Sequence, residues 1–224
     1  MQIEVKGTPL PVAICNLSPG ESIITEKGAM SWMTPNMQME TKGGGIGKMF
    51  SRALQGEAMF QNIYTAVGSP GMIAMGSSFP GDIMVVDVAA MPIIAQKSAF
   101  LASEVSVVNE LFFRKKLGAG FFGGEGFIMQ KFSGTGKVIL EIDGSVMMYE
   151  LAPGQSMLID TGCLAAMEAS VSMEIESVKG LGNKLFGGEG FFNTKVTGPG
   201  KIWLQTMPVS NLASMIAGII PGKN

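Results

Sequence analysis

Leu185-Phe186-Gly187-Gly188-Glu189-Gly190-Phe191-Phe192 repeats, almost letter for letter, Phe121-Phe122-Gly123-Gly124-Glu125-Gly126-Phe127-Ile128. A worn copy stands earlier, at Leu54-Gln55-Gly56-Glu57-Ala58-Met59-Phe60. The second and third copies share a following echo, Gly134-Thr135-Gly136-Lys137-Val138 and Gly198-Pro199-Gly200-Lys201-Ile202. Upstream, a second landmark recurs. Ser22-Ile23-Ile24-Thr25-Glu26-Lys27 runs into Gly28, Pro92-Ile93-Ile94-Ala95-Gln96-Lys97 into Ser98, and Ser156-Met157-Leu158-Ile159-Asp160-Thr161 into Gly162. This landmark steps by 70 and 64 residues, and the Gly-Glu phrase steps by 68 and 64. Two independent landmarks on one spacing define a threefold internal repeat.

Each copy reads the same way. A strand ends at a small-residue turn, and a second strand follows. Its clearest form is Val171, Met173 and Ile175 alternating with Ser172, Glu174 and Glu176, the period of a half-buried strand. A Gly-rich loop with basic residues leads to the Gly-Glu phrase, and then come a strand, the Gly-x-Gly turn and another strand. Val138–Asp143 and Ser145–Leu151 read as a hairpin about Asp143-Gly144, with Met72–Met75 and Asp82–Val88 as its counterpart. Ser18-Pro19-Gly20-Glu21 is a turn. Short strands at regular spacing imply a sandwich or barrel. The expectation is an all-β chain, 1–224, of three sandwich-like pseudo-repeats (roughly 1–75, 76–140 and 141–208) about a pseudo-threefold axis. A short C-terminal helix is expected at about 210–219, capped by Ser210 or Asn211, with Leu212, Met215, Ile216 and Ile219 on one face. It either docks on the sandwich edge or makes an oligomer or membrane-surface contact, and the scarcity of basic residues in the tail weighs against the membrane.

Composition narrows the function classes. Histidine is absent, which removes Ser-His-Asp and Cys-His catalysis and His-ligated metals. No catalytic residue, metal site or cofactor is expected, and the chain reads as a non-enzymatic oligomeric scaffold or binding protein acting through its repeated Gly-rich loops; the alternative is a His-independent enzyme using Glu, Asp, Lys, Tyr or Cys chemistry. The net charge of −2 argues against nucleic acid, which attracts a basic stripe. Cys15 and Cys163 are too few for a disulfide framework and suit a reducing cytoplasm. No signal peptide pattern and no long apolar run occur, so a cytoplasmic protein away from the membrane is expected. Asn16-Leu17-Ser18 fits a glycosylation sequon by chance. Gly118-Ala119-Gly120-Phe121-Phe122-Gly123 has dinucleotide-fingerprint letters but is followed by a strand, where that motif needs a helix N-terminus. Gly43-Gly44-Gly45-Ile46-Gly47-Lys48-Met49 lacks the P-loop's first glycine and final hydroxyl.

Two sets of candidate residues remain. Glu57, Glu125 and Glu189 occupy equivalent places. They either accept loop N–H groups that would otherwise go unpaired or converge as a ligand-binding site for a cation or basic partner. Lys115, Lys116, Lys179 and Lys184, beside Phe121, Phe122, Phe127, Phe191 and Phe192, form a candidate nucleic-acid surface, against core packing for the aromatics. The 19 methionines fill core gaps or supply an adaptable contact surface. Self-association, in the form of a trimer, and a protein partner are expected.

The Phe-Gly-Gly-Glu-Gly-Phe phrase, its Gly-x-Gly turn and the three-copy layout resemble the "altered inheritance of mitochondria" protein family and its bacterial relatives, from about Ile3 to Pro208. The resemblance implies a TRAP-like β-sandwich fold, named after the tryptophan RNA-binding attenuation protein, and carries over no catalytic residues. The eukaryotic member is tied to mitochondrial inner-membrane organisation. No transit peptide is seen here, so that role does not transfer directly. RNA binding by the fold's namesake is an analogy of fold alone.

Overall fold

A computed structural model of the chain describes residues 1–42, 61–115, 126–177 and 192–219. After β1 (Gln2–Lys6), the strands among the described residues fall into three sets of six. The first set is β2 (Val12–Leu17), β3 (Ser22–Glu26), β4 (Met30–Met33), β5 (Met37–Lys42), β6 (Gln61–Ala66) and β7 (Gly71–Gly76). The second is β8 (Gly81–Asp87), β9 (Ile93–Gln96), β10 (Phe100–Glu104), β11 (Val107–Lys115), β12 (Phe127–Gly134) and β13 (Lys137–Asp143). The third is β14 (Val146–Leu151), β15 (Ser156–Asp160), β16 (Leu164–Glu168), β17 (Ser172–Ser177), β18 (Phe192–Thr197) and β19 (Gly200–Gln205), and helix α1 (Val209–Ile219) follows.

Four antiparallel sheets result, in the orders β1-β2-β7-β4, β5-β6-β3-β10-β13-β8, β11-β12-β9-β16-β19-β14 and β15-β18-β17. Each set of six is thus split into two half-sheets. In the first set these are β2-β7-β4 and β5-β6-β3. Successive sets share a sheet, because β3 pairs with β10 and β9 pairs with β16. The registers agree: Ala102 faces Thr25 in one junction and Ala166 faces Ala95 in the other. A bulge recurs at Met30/Trp32, Phe100/Ala102 and Leu164/Ala166. The repeat read from the letters is therefore a repeat of backbone geometry.

Three apolar cores lie between the layers. The first joins Ala13, Cys15, Ile23, Tyr64 and Ile73 to Leu101, Ala102 and Ile139 of the next set. The second centres on Phe100 and Phe132, whose rings stack at 5.6 Å and 9°, and takes in Ala165 and Ala166 of the third set. The third holds Ile94, Phe127, Met129, Leu164, Met167 and Val196. Fully burying one such large side chain stabilises by about 1.5–3 kcal/mol. Strands at the junctions are buried on both faces, so they read as unbroken apolar runs. That is why β16, Leu164-Ala165-Ala166-Met167, shows no alternation and went unread as a strand.

The structure corrects the expected hairpin about Asp143-Gly144. β13 pairs with β10 and β8, whereas β14 pairs with β19 in another sheet. Gly144 does turn the chain at φ 75°, but it hands the chain to the next layer. Thr206 Oγ1 accepts the Ser145 N–H at 2.9 Å and Asp82 Oδ2 accepts the Val146 N–H at 2.9 Å. The counterpart strands β7 and β8 likewise sit in different sheets. The expected C-terminal helix is present at Val209–Ile219, and at its start Asp143 Oδ2 accepts the Val209 N–H at 3.1 Å. Of its expected face, Leu212 is half-buried, while Met215, Ile216 and Ile219 are exposed.

Candidate functional site

Three equivalent hairpins, β5–β6, β11–β12 and β17–β18, span the segments that carry the Gly-Glu phrase. In β17 and β18 the side chains alternate between core and solvent, whereas β12 is buried over its first four residues. In β17, Met173 and Ile175 pack on the third core while Glu174 faces outward opposite Lys195. Glu57, Glu125, Glu189, Lys116, Lys179 and Lys184 lie outside the described residues, as do Phe121, Phe122 and Phe191 and the side chain of Phe192.

Lys115 is described. It ends β11, and its Nζ donates to the Ile175 carbonyl at 3.0 Å. This bond ties the end of β11, in the second set's hairpin, to β17 in that of the third. Phe127 is not a stacking platform. It is 1 % exposed and meets Phe113 edge-on at 6.4 Å, inside the third core. Core packing, one of the two readings of that aromatic, is the observed one.

Sequence reading missed a different pair of repeated glutamates. Glu168 Oε2 accepts the Lys201 N–H at 3.1 Å, just after the Gly198-Pro199-Gly200 turn. A Cβ on Gly200 would sit 2.9 Å from that oxygen, and a Cβ on Gly136 would sit 2.5 Å from Glu104 Oε2. In the first set Thr34 takes this place, its Oγ1 accepting the Met72 N–H at 3.0 Å. The Gly-x-Gly echo thus makes room for a carboxylate, which at Glu168 caps the turn. Its signal was available: Glu104 and Glu168 are themselves 64 residues apart.

Two further polar groups fasten the junctions. Gln96 Nε2 donates to the carbonyls of Gly162 (3.2 Å) and Leu164 (2.6 Å), and Gln205 Nε2 also donates to Gly162 O at 2.8 Å. On β13, Glu141 and Asp143 are two residues apart and share a face. Glu141 Oε2 accepts the Ser78 N–H at 2.8 Å and Oε1 faces Ser78 Oγ at 3.4 Å. Burial pushes the Glu141 carboxyl above its ordinary pKa, the Ser78 N–H opposes this, and the Asp143 charge adds to it. Burial also raises Asp143, against the Val209 N–H. Such a pair can hold a proton, yet each member is already occupied in capping a turn or the helix start. Among the described residues, no group of three or more Cys, Asp or Glu is placed to hold a metal ion, and no helix is long and apolar enough to cross a membrane.

Comparison with known proteins agrees with this architecture. Residues 3–207 match the family model described as Mitochondrial biogenesis AIM24. An uncharacterized protein of Streptococcus pyogenes serotype M6 is 27% identical over 221 residues, covering 94% of this chain and 87% of the relative. An X-ray structure of a Streptococcus pyogenes protein, a structural-genomics target, superposes with a TM-score of 0.83 at 23% identity, covering 98% of this chain and 99% of that one. At that identity the likeness speaks for the fold.

Proposed function

The chain belongs to the mitochondrial biogenesis AIM24 family, and from that premise we propose that it is a non-enzymatic, self-associating scaffold in the cytoplasm. It binds a protein partner through the Gly-rich segments that carry Glu57, Glu125 and Glu189. The observation that supports this reading is the placement of three equivalent hairpins, two of them with rims joined by the Lys115–Ile175 bond. The sequence carries the same phrase three times, and repetition of a binding phrase in one chain raises avidity without a new contact. The low charge content, 15%, suits a contact surface better than an electrostatic trap for nucleic acid.

Native mass spectrometry of protein purified gently from its own cells tests the reading. The expected spectrum is a homo-oligomer with a retained protein partner, which is lost when Glu57, Glu125 and Glu189 are all changed to Gln. A reproducible turnover abolished by Glu125→Gln or Glu189→Gln would overturn the non-enzymatic part. A retained oligonucleotide, released by salt, would overturn the choice of partner and return attention to Lys115, Lys116, Lys179 and Lys184.

A further inference from the structure

The row of sandwiches has two internal junctions and two ends. At the ends, β4 closes the first sheet and β15 closes the fourth, and among the described residues no strand pairs with the outer edge of either. By register these are the two halves of a third junction. β4 is the equivalent of β10 and β16, and β15 is the equivalent of β3 and β9. We propose that a second copy of this chain supplies the missing half, with β4 of one copy adding antiparallel to β15 of the next. The internal junctions dictate the register: Trp32 opposite Ile159, Met33 opposite Leu158 and Thr34 opposite Met157.

Burial supports this pairing position by position. Ala102 and Ala166 are 0% exposed, but the equivalent Trp32 is 49% exposed. Ile94, on β9, is 0% exposed, and its counterpart Leu158 is 58% exposed. Each internal junction also sends side chains into the neighbouring core. Ile94 packs in the third core, and Ala102 packs in the first. The same operation places Leu158 against the first core of the next copy and Trp32 against the third core of the previous one. That third core is the one left open. Met147 and Tyr149 are exposed there, while Ala13 and Cys15, their first-set equivalents, are fully buried.

Edge chemistry points the same way. Exposed sheet edges are ordinarily blunted by charge or proline. The other six edge strands carry charged residues: Glu4 and Lys6 on β1, Glu40 on β5, Asp82 and Asp87 on β8, Arg114 on β11, Glu150 on β14 and Glu174 on β17. β4 has none. β15 has only Asp160, whose Oδ1 accepts the Gly162 N–H at 3.0 Å. The contact is head-to-tail, so it propagates until a ring closes or a filament forms. It rests on the self-association proposed above and names the surface that carries it.

Disulfide trapping tests the register. Met33→Cys and Leu158→Cys are made in separate chains, each also carrying Cys163→Ser. Cys15 is left in place because it is fully buried. The expected result under mild oxidation is a linked dimer in the mixture and none from either variant alone. A chain carrying both cysteines should give a ladder of linked copies. No link in the mixture overturns the proposal, as does an internal disulfide in a monomeric double variant. Sedimentation of Leu158→Lys and Trp32→Lys should show monomer with unchanged circular dichroism. Wild-type-like oligomers in both variants would overturn the edge contact and leave self-association standing. A wild-type chain that is monomeric up to its solubility limit would overturn both.

Discussion

Gln96→Leu separates the contribution of the second junction from that of the cores around it. Gln96 is 3% exposed and sits where the first set has Glu26 and the third has Asp160. Leucine fills nearly the same volume, so the cavity left is small and the loss is one of hydrogen bonds. Leu164 O forfeits its 2.6 Å donor, while Gly162 O keeps Gln205. A buried carbonyl stripped of its donor costs about 1–3 kcal/mol, and the second bond adds about 0.5–1.5, for about 1.5–4.5 kcal/mol together. Urea unfolding followed by circular dichroism at one protein concentration measures it. A loss of that size through a lower midpoint, with an unchanged slope, is expected. Ser98→Ala is the control, because it removes only a half-buried 3.3 Å bond to Gln96 Oε1 and should stay within about 0.5 kcal/mol. A Gln96→Leu change no larger than that control would refute the assignment of Gln96 as the fastening of the junction.

Two other outcomes follow from the same geometry. Phe132→Ala should cost about 3–5 kcal/mol, because the ring is fully buried and stacked on Phe100; a loss below about 1 kcal/mol on the same urea curve would contradict the packing. The Glu141 carboxyl has a raised folded pKa, so its contribution is fully present below the unfolded value of about 4.3 and is lost as pH rises through the folded value. Glu141→Gln keeps an acceptor for Ser78 and removes that loss, so its stability relative to wild type should rise across this window; parallel stability–pH curves for the two proteins would count against a raised carboxyl.

The rim bond of Lys115 shows why site prediction stopped where it did. Its charge and loop position suggested a partner in solution. The side chain also reaches the Ile175 carbonyl in a different sheet, 60 residues along the chain. No pattern local to Lys115 encodes that contact. Glu104 and Glu168, by contrast, were legible from spacing alone, but their flanks are less conspicuous than the Gly-Glu phrase.

What the letters determined by themselves is the repeat, its period and its β character. Those follow from alternation, from turn glycines such as Gly134 and Gly136 at φ 91° and 104°, and from residues that recur at one spacing. Which strand pairs with which was decided only in three dimensions. Asp143-Gly144 is as good a turn for a hairpin as for a crossing between layers, because a turn sets local direction and not the partner. The partner is chosen by burial. β10 and β16 hide both faces only when β3 and β9 lie beside them, and the removal of that apolar surface from water outweighs the alternative of pairing with the nearest neighbour in sequence.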